Sequence, residues 1–153
     1  MNLRLLSIDD AERARALLPL LERAAQETAA TWREDPLPEG TVERFLERAL
    51  AAPETLIVAA EDVELGEALA VVASAPFQDP LTGETRPMII LLYVTPDIRH
   101  HGVARALIGE LQRRLGQRGH KELLARAGHN DDALISMGER LGLVRTIEIM
   151  SLE

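Results

Sequence analysis

Six residues in the middle of the chain, Arg99-His100-His101-Gly102-Val103-Ala104, set a permanent cation, two imidazoles and a glycine between an apolar run and a helical pattern. Residue types in that order suit the holding of a phosphate. A glycine turn that opens a helix lets several backbone N–H groups converge on one anion at the positive end of the helix dipole. Gly102 has no Cβ to block the ligand, and Ala104 has almost none. Arg99 adds charge and His101 adds a donor. The plainer alternative is that Gly102 only turns the chain and Arg99 is solvated, since so short a motif also arises by chance. The adjacent imidazoles of His100 and His101 diverge, so no metal site is expected.

The elements that must position this loop follow from hydrophobic period. Residues 2–8 read as a strand, with Asp9 or Asp10 as a helix cap. Residues 11–28 carry Leu17, Leu18, Leu21, Ala24 and Ala25 at helical spacing, and Pro19 should kink or divide that helix. A Pro-rich loop over 32–40 leads to a second helix over 41–51. Residues 55–60 and 68–75 read as a strand pair joined by a turn, and 76–87 as a polar, turn-rich loop. Residues 88–95 are nearly all apolar, as in a strand buried on both faces.

After Gly102, the residues Val103, Ala106, Leu107, Leu111 and Leu115 mark a helix that ends before Gly119. Then come a strand over 121–127, a helix over 131–141 stopped by Gly142, and a strand over 143–152. The order is β-α-α-β-β-β-α-β-α-β, an α/β chain. Its strand–helix–strand step implies a right-handed crossover between parallel neighbours. A twisted mixed sheet with helices on both faces follows.

At 153 residues and 46% hydrophobic, the chain supports one full core, and a single domain over 1–153 is expected. A net charge of −8 disfavours nucleic acid and anionic membrane and favours cationic partners. The absence of cysteine excludes disulfides and thiolate chemistry. The short apolar start, followed at once by Asp9-Asp10, lacks the build of a signal peptide, and no run is long enough to cross a bilayer. A cytoplasmic protein is expected.

Read as Arg-x-x-Gly-x-Ala after Val94-Thr95-Pro96, the loop resembles the acetyl-CoA pyrophosphate loop of the GNAT superfamily of N-acetyltransferases, and the element order resembles that fold from end to end. The resemblance implies acetyl-CoA as cosubstrate and an amine as acceptor, with direct attack in a ternary complex. It implies that Arg99, His100, His101, Gly102, Val103 and Ala104 bind the pyrophosphate. It further implies that Leu92, Tyr93 and Val94 on one strand, and a segment from Ala125 to Asn130 on its splayed neighbour, flank the pantetheine arm. Homodimers are usual in such proteins, and the long apolar strands offer edges to pair.

Acyl transfer requires the amine to lose a proton and favours protonation of the departing thiolate. In many relatives a tyrosine supplies the second proton from the helix that here covers 131–141. Alignment on Gly142-Leu143 puts Gly138 at that position, and alignment on Asn130 puts Met137 there. Tyr93, the only tyrosine, is the candidate catalytic phenol beside the cosubstrate arm, and a half-buried core ring is its simpler role. Among the loop groups Glu34, Asp35, Asp79, Glu84 and His129, the one histidine is the best base candidate by residue type, against a reading as a capping or solvent-facing residue before a helix. The Glu34-Asp35 pair near Trp32 is the candidate grip for a cationic substrate in a loop expected to overhang the acceptor site, against the plainer reading of a solvated pair. Without the tyrosine, the alternative is a weak or inactive acyl-CoA-binding module.

Overall fold

The computed structural model describes residues 2–146, 150 and 152. The chain runs through β1 (Leu3–Ser7), α1 (Ala11–Ala16), α2 (Leu18–Ala29), α3 (Thr41–Ala51), β2 (Leu56–Asp62), β3 (Glu67–Gln78) and β4 (Thr85–Val94). A 3-10 turn at Pro96–Ile98 precedes α4 (Val103–Gln117), β5 (Leu124–Ala125) and α5 (Asp132–Arg140). The strands lie in sequence order in one sheet, antiparallel from β1 to β4 and parallel between β4 and β5. Helix α4 is the crossover, and the mixed sheet with helices on both faces is the architecture the sequence predicts.

Strand alternation builds two cores. Ile57, Ala59, Val71, Ala73 and Tyr93 meet Leu17, Leu20, Leu21, Ala24 and Leu46 from the α1–α3 side. Val58, Ala60, Ala70, Val72, Ile89 and Leu92 meet Val103, Leu107, Leu111 and Leu115 of α4 on the other face. The period of two holds along β2 and the first half of β3, as a two-faced sheet requires. It slips in β4. The β3–β4 register shifts between Ala73 and Ser74, and the successive residues Ile90 and Leu91 both pack toward α1–α3. This β-bulge re-aims the last residues of β4.

Several boundaries differ from expectation. One break is where the sequence expects it: the helix over 11–28 is divided at Leu17, and Pro19 lies in the first turn of α2, where its missing N–H removes no helical bond. Strands β3 and β4 extend to Gln78 and back from Thr85, so the turn is shorter than the 76–87 loop expected. Pro76 pairs with Pro87 beyond the reach of β2 and β5, where no outer strand calls for the N–H that proline lacks.

The predicted strand over 121–127 contracts to Leu124–Ala125. Residues 143–146 of the predicted closing strand have no regular structure. Most of its remainder, residues 147–149 and 151, lies outside the described residues. Among the described residues no helix is long and apolar enough to cross a membrane.

Candidate active site

The parallel pair β4–β5 is joined only at Met88–Leu124 and Ile89–Ala125, with Arg126 N–H donating to Ile89 O at 3.1 Å. Beyond that point β4 runs on to Val94 without β5 as a partner, and the segment 126–130 leaves to meet the end of α2. The two strands therefore splay where the sequence places Leu92–Val94 on one side and Ala125–Asn130 on the other. The bulge and the divergence together leave main-chain groups on that edge of β4 without a strand partner.

The Gly102 loop closes the wide end of this gap. Gly102 has φ of 79°, in the left-handed region that glycine adopts without strain, and it caps α4 without a side chain. The first helical bond back to the cap is Ala106 N–H to Gly102 O at 3.0 Å. The N–H groups of Val103, Ala104 and Arg105 thus have no acceptor within the helix and sit at its positive end. A Cβ built on Gly102 meets nothing within 4 Å, so the space before these amides is open. His100 also adopts positive φ, 67°, a strained conformation for a residue with a Cβ. His100 and His101 are exposed, Val103 is buried in the α4 core and Ala104 is half-buried.

Arg99 is turned away from the amides toward α2. Its Nε donates to Val94 O at 2.8 Å and its Nη2 to Glu27 Oε2 at 3.0 Å, while the guanidinium carbon lies 5.5 Å from the centre of the Tyr93 ring. The Tyr93 hydroxyl donates to the other Glu27 oxygen at 2.9 Å. Burial first, and then the bond to Glu27, raises the Tyr93 phenol above its ordinary value, so it holds its proton. Sequence reasoning misses Glu27 altogether. It lies 66 and 72 residues from its two partners, and no local pattern marks it.

In the loop that follows α2, Trp32 is 56% exposed, with the Arg33 guanidinium 5.5 Å from its ring. Arg33 Nε donates to Asp35 O at 2.9 Å, which shapes the loop and leaves the Glu34 and Asp35 side chains exposed. Asn130 N–H donates to Thr31 O at 3.1 Å, bringing this loop beside the segment that carries His129. His129 and Asn130 are both exposed. By contrast, Asp79 and Glu84 flank the β3–β4 turn. The ten-residue β4 separates that turn from Val94 by about 30 Å, beyond the reach of any side chain. Asp79 is occupied as a turn cap: the N–H groups of Leu81 and Thr82 donate to it at 2.8 and 2.9 Å and lower its pKa.

Helix α5 is capped by Asp131, whose Oδ1 accepts from Leu134 N–H at 3.1 Å. Seven residues beyond that cap stands Gly138, which takes Leu143 N–H on its carbonyl at 2.9 Å in the closing turn. Met137 is half-buried and packs toward α4. Neither position offers a proton.

The Acetyltransferase (GNAT) family matches this sequence over residues 17–143. No curated protein matches it. Among solved structures, the aminoglycoside N-acetyltransferase AAC(6')-Iy in complex with the bisubstrate analogue CoA-S-monomethyl-acetylneamine aligns with a TM-score of 0.79 at 16% identity, over 100% of this chain and 98% of that one. A ribosomal-protein-alanine N-acetyltransferase from Brucella melitensis aligns with a TM-score of 0.76 at 19% identity, over 99% of each chain. An acetyltransferase from Clostridium acetobutylicum solved with acetyl-CoA gives 0.77 at 16% identity, over 99% of this chain and 96% of that one. At these identities the likeness establishes a shared fold.

Proposed function

We propose, from the premise that this chain belongs to the GNAT acetyltransferase family and uses acetyl-CoA to acetylate amines, that its acceptor is a cationic small molecule of the aminosugar kind, attacked directly in a ternary complex. The observation that carries this reading is the uncapped start of α4 behind Gly102, facing the gap between β4 and β5. The amides of Val103, Ala104 and Arg105, with His101 beside them, take the pyrophosphate. The free edge of Leu92–Val94 and the segment 126–130 flank the pantetheine arm, with Asn130 at its mouth. A backbone N–H of β4 beside the thioester polarises the carbonyl and holds the oxyanion as the amine adds.

The acceptor sits under the loop that carries Trp32, Glu34 and Asp35. A half-exposed indole offers a flat apolar face to a sugar ring, and the two exposed carboxylates attract ammonium groups. The chain's net charge of −8 acts in the same direction. His129, on the segment held to Thr31, accepts the proton of the attacking amine. The thiolate leaves without a phenol on α5, because a thiol of ordinary pKa near 8.5 is already a tolerable leaving group and proximity supplies much of the rate. We place the protein in the cytoplasm with its cosubstrate.

Thiol release from acetyl-CoA, measured over a panel of aminosugars, polyamines and peptide N-termini, tests this reading. Turnover on aminosugars with little on neutral peptides is expected. Turnover confined to peptides would overturn the acceptor class. The positions of Gly138 and Met137 favour one second reading, an acyl-CoA-binding module, which tight CoA binding with no turnover on any amine would establish.

A further inference from the structure

We propose that Glu27 is a positioning residue for the acetyl-CoA loop, holding Arg99 against α2 so that Arg99 acts as a strut within the protein and not as a ligand of the phosphates. The inference rests on the reading that the amides at the start of α4 bind the pyrophosphate. Three elements meet at this strut. Arg99 begins the loop, Tyr93 and Val94 end β4, and Glu27 belongs to the last turn of α2. Both carboxylate oxygens of Glu27 are engaged, one by the Tyr93 hydroxyl at 2.9 Å and the other by Arg99 Nη2 at 3.0 Å.

Arg99 is fixed on three sides at once: by Glu27, by Val94 O at 2.8 Å, and by the face of a ring that is only 4% exposed. A planar guanidinium held in this way has its Nε and Nη2 donors committed to the protein. The bond to Val94 O also ties the loop back to the strand it follows. The pyrophosphate is then left to the amides and His101, and the cation expected from the motif serves to hold those amides in place.

The alternative role for Arg99 makes the opposite prediction about Glu27. If Arg99 were a phosphate ligand, Glu27 would compete with CoA for it, and removing the carboxylate would tighten CoA binding. If Arg99 is a strut, removing the carboxylate loosens the loop and weakens binding.

Calorimetry with CoA on the wild type, Glu27→Gln, Arg99→Gln and the double variant separates these cases. Tyr93→Phe serves as a milder variant that keeps the ring and removes one bond to Glu27. Each single variant of the ion pair should raise the CoA Kd by about three- to fivefold, the scale of a half-exposed ion pair, and the double variant should be no worse than either single. Tyr93→Phe should shift Kd in the same direction by less. The KM for the amine should stay at its wild-type value, which general damage to the fold would not allow. Tighter or unchanged CoA binding by Glu27→Gln, or additive losses in the double variant, would overturn the strut. A wild-type chain that binds no CoA would overturn both the strut and the cofactor site, and the wild-type titration alone reveals it.

Discussion

Gly128 lies so close to Thr31 that a Cβ on the glycine would overlap the threonine side chain and come within 3.1 Å of its carbonyl carbon. Two loops distant in sequence touch at this point. One follows α2 and carries Trp32, and the other follows β5 and carries His129. Gly128→Ala should therefore push the loops apart, lowering Tm and raising the KM for the amine more than that for acetyl-CoA. Thr31→Ala in the same chain removes the side-chain part of the overlap and should recover part of both losses. Melting curves and the two KM values check this.

The left-handed φ of 79° at Gly102 costs a side-chain-bearing residue about 1–2 kcal/mol, while the space around it is open. Gly102→Ala should fold with a Tm lowered by a few degrees. Gly102→Glu carries the same conformational cost and also sets a carboxylate before the α4 amides. Its CoA Kd should exceed that of the alanine variant by at least about tenfold, with little further change in Tm. Calorimetry and thermal melts of the pair separate backbone strain from charge.

Ser74 Oγ is buried at zero exposure and has no hydrogen-bond partner among the described residues. It sits on β3 opposite Leu56 and Ile89, beside the register shift. Leaving a polar atom in that state costs about 1–3 kcal/mol, so Ser74→Ala should stabilise the protein by about 1 kcal/mol and raise Tm. Chemical denaturation with an unchanged m-value is the check.

Glu110 on α4 accepts from Arg113 at 2.9 and 2.6 Å and from Arg114 at 2.9 Å. The Arg113 bonds are the largest cause of a pKa lowered from 4.5 to about 2. A carboxylate whose folded pKa is depressed contributes its full stability above the unfolded value and loses it as pH falls toward the folded one. Stability should accordingly decline between about pH 4.5 and 2, and Glu110→Gln should flatten that part of the profile. The increment should stay under about 1 kcal/mol, because the partners are solvated.

Residues whose partners are near in sequence are legible in the sequence itself. Helix α3 spans the predicted 41–51 because Gly40 and its apolar spacing act locally, and Gly102 announces both the turn and the start of α4. Strand β5 is shorter than its residue types predict because a strand exists only as far as its partner stays beside it, and β4 and β5 part after Ile89. The bulge at Ile90 depends on packing across the sheet, whereas Pro19 announces the division of the first helix at Leu17. At the candidate site, the glycine turn into α4 is readable, whereas the engagement of Arg99 is not, because Glu27 comes from another element. The carboxylates Asp79 and Glu84 are candidates by type alone, and only the length and direction of β4 remove them.

Because β5 accompanies β4 for only two residues, the sheet ends in an open seam, which on the proposed reading a pantetheine arm, with its own amides, closes as an added strand would. An empty enzyme thus carries a sticky edge of the kind that invites association between chains. Cosubstrate supply and colloidal behaviour are coupled through the same seam, so a loaded protein should be the better-behaved one in concentrated solution, for reasons separate from any gain in folding free energy.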